Sequence, residues 1–214
     1  MVVPYHSDPR LLALHAVRVK GFADDRTVAK RYGLDLAEVT EHLLDFEAFG
    51  WVRKAGFLDL NGWSMTDRGR TENESQLRAE LAAAGAKGAV RAAYAGFLAD
   101  NGRLMRACTN WQMRPVGGDP LAVNDHTDWP WDERVLRELR QLELRLHEVV
   151  AELGGVLTRF EGYDVRFGAA LDRVDQGDLS WVNKVREDSC HTVWMELHED
   201  LLATLGLERS SESA

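Results

Sequence analysis

Apolar positions in the first seventy residues recur at helical spacing and then switch to alternation. In "DPRLLALHAVRVKG", Leu11, Leu14 (or His15) and Arg18 share one helical face, and Pro9 stands at a natural first-turn position. "ADDRTVAKRYG" reads as a helix opened by a capping Asp24 and stopped at Gly33. In "LDLAEVTEHLLDFEAFGWV", Asp35 is the predicted cap and Glu38, three residues on, completes a capping box. Val39, Leu43 and Phe46 form the apolar stripe, and Gly50 ends the helix. "WVRKAGF" and "GWSMT" read as strands joined by "LDLNG", with the turn expected at Asn61-Gly62. Trp63 and Met65 alternate with Ser64, so one face of the second strand packs inward. Thr66 is placed to cap a further helix, and Gly69 lets its first turn lie close to the hairpin. Three helices, two strands and a helix make a winged helix-turn-helix.

Beyond this the period is helical throughout. Val90, Tyr94, Phe97, Leu104, Cys108 and Trp111 fall on one side of "GAVRAAYAGFLADNGRLMRACTNWQMRP". Val135, Leu139, Leu142, Leu146, Val149 and Leu153 alternate by four and three, a short coiled-coil-like seam. "TRFEGYDVRFGAALDRV" and "SCHTVWMELHEDLLATLGL" read as two more amphipathic helices, and the loop "VGGDPLAVNDHTDWP" separates the first two. The predicted fold class is therefore mainly α: a winged helix-turn-helix over 1–76, an α-helical bundle over 77–207, and a disordered tail over 208–214.

Composition sharpens the division. The net charge is −9, which argues against a uniformly basic nucleic-acid coat. Residues 1–72 carry 10 Lys+Arg against 11 Asp+Glu, or −1; residues 73–214 carry 16 against 24, or −8. Two regions with different tasks is the simplest reading. No apolar run approaches the roughly 20 residues of a membrane span, and "MVVPYHSDPR" lacks the features of a signal peptide. With two cysteines, Cys108 and Cys190, a cytoplasmic setting is expected.

"TVAKRYGLDLAEVTEHLLDFEAFGWV" followed by "GWSMTDRGR" resembles the helix-turn-helix and wing of bacterial MarR-like transcriptional regulators, over roughly residues 9–72. Gly33 in the turn, Gly50-Trp51-Val52 at the exit, and Met65-Thr66 with Gly69-Arg70 carry the resemblance. It implies a recognition helix in the major groove with the wing beside the phosphates. "RACTNWQMRP", "NDHTD" and "DSCHTVWMELHEDLLATLGL" are similar to a bacterial group of regulators. In that group the module stands alone or accompanies the mobile domain of PEP-utilising enzymes. No activity carries over from it.

The candidate DNA contacts are Thr40 and His42 on the recognition helix, with Arg53, Lys54, Arg68 and Arg70 around the hairpin. Lys30 and Arg31 lie nearby in sequence. Against this, the recognition helix turns Glu38, Glu41 and Asp45 outward, and Glu41 and Asp45 share one face where phosphates would be repelled.

No catalytic set or cofactor motif is found. "HEDLL" has Leu202 where a zinc protease needs a second His, and His191 and His198 lie about 10.5 Å apart along one helix. No Walker loop or G-x-S-x-G elbow is present. A polar set does stand out: Asn101, Cys108 and Gln112 on one helical face with Trp111, the loop residues Asn124, Asp125, His126 and Asp128, and His191. It reads either as a ligand pocket or as a satisfied network that ties the loop to the bundle. The sequence expectation is a transcriptional regulator that binds DNA, senses a small molecule and forms a homodimer along the Val135–Leu153 seam, with no metal, cofactor or membrane. The alternatives are a protein-docking winged helix that partners a PEP-utilising phosphotransfer enzyme, and a small-molecule binding protein or enzyme built on the bundle.

Overall fold

The structure, a computed structural model, describes residues 3–57, 60–119, 121–185 and 187–208, with only the backbone of Phe57 and Leu60. The chain divides into two compact units. One comprises Met1–Gly88, Gly155–Arg159 and His198–Ala214; the other comprises Ala89–Gly154 and Phe160–Leu197. The tail expected over 208–214 lies, apart from Glu208, outside the described residues.

The N-terminal unit runs α1 (Pro9–Lys20), α2 (Asp25–Tyr32), α3 (Leu36–Ala48), β1 (Val52–Phe57), β2 (Leu60–Met65) and α4 (Asp67–Ala83). Each helix starts on a side-chain oxygen that takes up otherwise unpaired amides. Asp8 accepts from Arg10 N at 2.8 Å, Asp24 from Thr27 N at 2.8 Å, and Asp35 from Ala37 N and Glu38 N at 2.9 and 3.0 Å. Thr66 Oγ1 accepts from Gly69 N at 3.0 Å. The apolar stripes meet in one core of Leu14, Val17, Val28, Val39, Leu43, Phe46, Val52 and Trp63, with Met65 packed against it. This is the winged helix-turn-helix arrangement.

The hairpin differs from expectation in its turn. Pairing runs from Val52 opposite Met65 to Phe57 opposite Leu60, so Asn61 and Gly62 are strand residues that face Gly56 and Ala55. The expected turn at Asn61-Gly62 is therefore not found there; residues 58–59 lie outside the described residues. Gly62 serves another purpose. Trp63 exchanges backbone hydrogen bonds with Ala23, 2.8 and 3.2 Å, which adds a bridge from the α1–α2 connection to the edge of β2. A Cβ on Gly62 would meet the Phe22 ring at 2.7 Å and Ala23 O at 2.9 Å, so this approach requires the missing side chain.

Two segments distant in sequence complete this unit. Tyr5 N donates to Val156 O (3.0 Å), and Thr158 N to Tyr5 O (3.1 Å). This positions Arg159, whose buried guanidinium meets Glu80 of α4 at 2.8 Å, Thr204 at 2.7 Å and Asp200. Asp200 also lies 3.0 Å from His15 Nε2, and His15 Nδ1 lies 3.1 Å from Asn73 Oδ1. Burial alone would raise the Asp200 carboxyl, but Arg159 and then His15 hold it well below the usual carboxylate range.

The second unit contains most of α5 (Lys87–Gln112), then α6 (Trp129–Gly154), α7 (Tyr163–Asp175) and the first half of α8 (Cys190–Leu205). Its core includes Phe97, Leu104, Trp111, Leu139, Leu142, Phe167 and Trp194, with the Phe97 and Trp194 rings 4.7 Å apart. The helix expected over "TRFEGYDVRFGAALDRV" is broken. A short 3-10 turn spans Thr158–Phe160, and α7 begins only after Gly162, whose φ of 84° interrupts the helical path. The seam from Val135 to Leu153 is the inward face of α6. Leu139, Leu142 and Leu153 have no exposure at all, so the apolar surface expected to hold a second copy is consumed within the chain. Among the described residues no helix is long and apolar enough to cross a membrane.

Candidate functional site

The first candidate surface is α3 with the wing. Val39, Leu43 and Phe46 face the core, leaving Glu38, Glu41, Leu44, Asp45 and Glu47 outward. The six candidate DNA contacts divide sharply. Thr40 is committed internally: its hydroxyl lies 2.9 Å from Asp25 Oδ2 and 3.0 Å from Leu36 O. Asp25 also accepts the Trp63 indole N–H at 2.6 Å, so it links α3 to β2 through α2. His42 is half-buried and stacks on Phe46, centroids 6.1 Å apart. Arg70 pairs with Glu199 at 3.3 Å.

Arg53, Lys54 and Arg68 remain exposed. Arg53 Nε donates to Ser64 Oγ at 3.3 Å, and Lys54 Nζ lies 5.3 Å from the Trp63 ring centroid. Among the described residues none of the three forms an ion pair. On α3, Asp45 is bound by Arg10 at 3.0 Å, which removes part of the repulsion that the acidic helix offers to phosphate.

Comparison with protein-family profiles, with curated proteins and with solved structures finds no match for this chain. The geometry of the two units therefore carries the functional reading.

The second candidate is the loop that joins α5 to α6, which the polar set ties down. Asn124 Nδ2 donates to Trp111 O (3.1 Å) and to Asp132 Oδ1 (2.7 Å), while its backbone N–H reaches Gln112 O at 2.8 Å. The other Asp132 oxygen lies 2.9 Å from His126 Nδ1. Asn124 Nδ2 lies 3.3 Å from the same imidazole nitrogen, so the ring is held from two sides. The His126 ring packs 4.6 Å from Trp111. Its backbone has φ 59°, which makes it the non-glycine residue of positive φ among those described. Arg114 clamps the far side, reaching Asp128 at 2.9 Å and Asp125 at 3.2 Å.

The remaining members of the set are also occupied or turned away. Asn101 Oδ1 accepts the Trp194 indole at 3.2 Å, and Trp111 Nε1 donates to Leu179 O at 3.1 Å. Burial pushes the Cys108 thiol up to about 12. Gln112 is exposed, and burial lowers the half-buried His191. Asn124, Asp125, His126 and Asp128 are thus tied to Trp111, Arg114 and Asp132, whereas Asn101, Cys108, Gln112 and His191 make no side-chain bond to this loop among the described residues. Sequence reasoning missed the loop's central acceptor, Asp132. The signal available was an Asp in the first turn of the helix that follows "NDHTD".

Proposed function

We propose that the chain is a DNA-binding regulator acting in the cytoplasm, which holds duplex phosphates through its wing and receives a small-molecule effector in its helical unit. The observation that carries the DNA half is the group Arg53, Lys54 and Arg68. These are three exposed cations at the hairpin and the adjoining start of α4 whose side chains form no ion pair among the described residues, in a chain of net charge −9. Backbone phosphates reward such cations with counterion release, independently of base sequence. The winged-helix arrangement and the MarR-like pattern of residues 9–72 support the same reading. The Val135–Leu153 seam that suggested a homodimer is buried inside the chain and supplies no interface for one.

A second reading rests on α3 itself. Glu41, Asp45 and Glu47 flank Leu44, which is 53% exposed, and Glu38 lies outward in the first turn of the same helix. An acidic helix with an apolar centre suits a basic protein surface better than a major groove. Glu41→Gln with Asp45→Asn separates the two. Fluorescence anisotropy on a labelled duplex at low salt should show tighter binding by this variant. If the full chain does not bind the duplex at all, the DNA reading is wrong and α3 is the docking face.

A further inference from the structure

The side chains around His126 are engaged with one another, which leaves a second place in the helical unit for the proposed effector. A groove of about 310 Å³ lies between α5 and α6, at the small end of the range for ligand pockets. Its floor is apolar, made by the buried Ala107 and Val135. One wall is Trp131, held in place by its own N–H bonds to Asn110 O (2.7 Å) and to Asp128 Oδ1 (3.1 Å).

The rim is cationic. Arg103 is spent on Glu138 and Asp100, each at 2.7 Å, and this also neutralises the one carboxylate that lines the groove. Arg106 and Arg134 are different. Both are exposed and line the groove, and among the described residues neither forms an ion pair. Arg134 lies instead over the Trp131 ring, 5.2 Å from its centroid. Elsewhere in the unit, Arg114, Arg140 and Arg166 each meet a carboxylate, whereas Arg91 and Arg173 form no ion pair among the described residues but do not line the groove. Two uncompensated guanidinium groups over an apolar floor select for negative charge at one end of a ligand and hydrocarbon at the other.

We propose that this groove binds a small organic carboxylate with an apolar body. Arg106 and Arg134 take the carboxylate, and Trp131, Ala107 and Val135 take the hydrocarbon. A bare phosphate would satisfy the rim and leave the floor uncovered; a neutral alcohol would cover the floor and leave the rim unpaired. The inference deepens the effector half of the proposed function and does not depend on DNA binding.

Isothermal titration of the full chain with hexanoate and phenylacetate tests it, with hexanol and inorganic phosphate as the half-matched probes. At least one carboxylate should bind saturably, about tenfold or more tighter than hexanol or phosphate. Arg106→Gln with Arg134→Gln should lose about tenfold or more of that affinity. Both positions are exposed, so an unchanged circular-dichroism melt confirms that the variant is folded. Three results each overturn the proposal: neither carboxylate binds up to about 10 mM, phosphate binds as tightly, or the double variant binds as the parent does. Arg53→Ala with Lys54→Ala should leave the carboxylate titration unchanged, so the DNA and effector readings fail separately.

Discussion

A Cβ on Gly69 would stand 1.9 Å from the carbonyl oxygen of Trp51. The first turn of α4 lies directly on the chain entering β1, and Trp51 O also accepts from Thr66 N at 3.0 Å. This contact fixes the wing relative to α4, and backbone cannot yield to a methyl group as a flexible side chain can. Gly69→Ala should therefore destabilise the protein by about 3 kcal/mol or more, above the usual range for overpacking. Urea unfolding checks it; a loss within about 0.5 kcal/mol, the range of ordinary surface changes, would contradict the packing.

The buried group around Arg159 makes stability depend on acid. Asp200 is held below its ordinary value, so the unfolded chain binds the proton more readily than the folded one. Its contribution is fully present above the unfolded value of about 3.9 and is lost as pH falls toward the folded one. Asp200→Asn removes one of the two carboxylates that meet the buried Arg159 guanidinium, with Glu80 remaining, and should cost about 3 kcal/mol at pH 7. The gap between parent and variant should narrow in urea titrations below about pH 4. A gap independent of pH would contradict the assignment.

Much of this architecture was legible, and the exceptions share a cause. The caps Asp24, Asp35 and Thr66 and the stripe Val39–Leu43–Phe46 are local patterns, visible because each partner lies within a few residues. Asn61-Gly62 misled because a glycine that suits a turn also suits a strand pressed against another backbone. Here Phe22 and Ala23, some forty residues earlier, decide between them. Arg159, Glu80, Asp200 and His15 come from four separate segments, and no spacing announces their meeting. In the candidate sites, sequence placed the cations around the hairpin, but only the structure shows that Arg70 and Thr40 are already engaged.

The loop network has its own signature. Asp132→Ala removes the acceptor of both Asn124 and His126, leaving two polar side chains without it. It should cost about 1–3 kcal/mol and open residues 114–128 to proteolysis. Cleavage there at the parent's rate would show that the network does not hold the loop.

The buried seam predicts a fold defect where an interface would predict dissociation. Leu142→Ala should lower stability by about 2–5 kcal/mol while the molar mass from light scattering stays that of the parent. A parent that is dimeric and a variant that is a stable monomer would restore the seam as an interface.

The central claim is that the wing supplies the electrostatic term for DNA. The direct measurement is the salt dependence of binding to a random-sequence duplex by fluorescence anisotropy, for the parent and for Arg53→Ala with Lys54→Ala. The parent should bind at low salt, with log K falling linearly against log salt. The double variant should bind more weakly on every sequence, with a slope shallower by up to about two units. An unchanged slope, or a parent that does not bind even at low salt, would contradict the account.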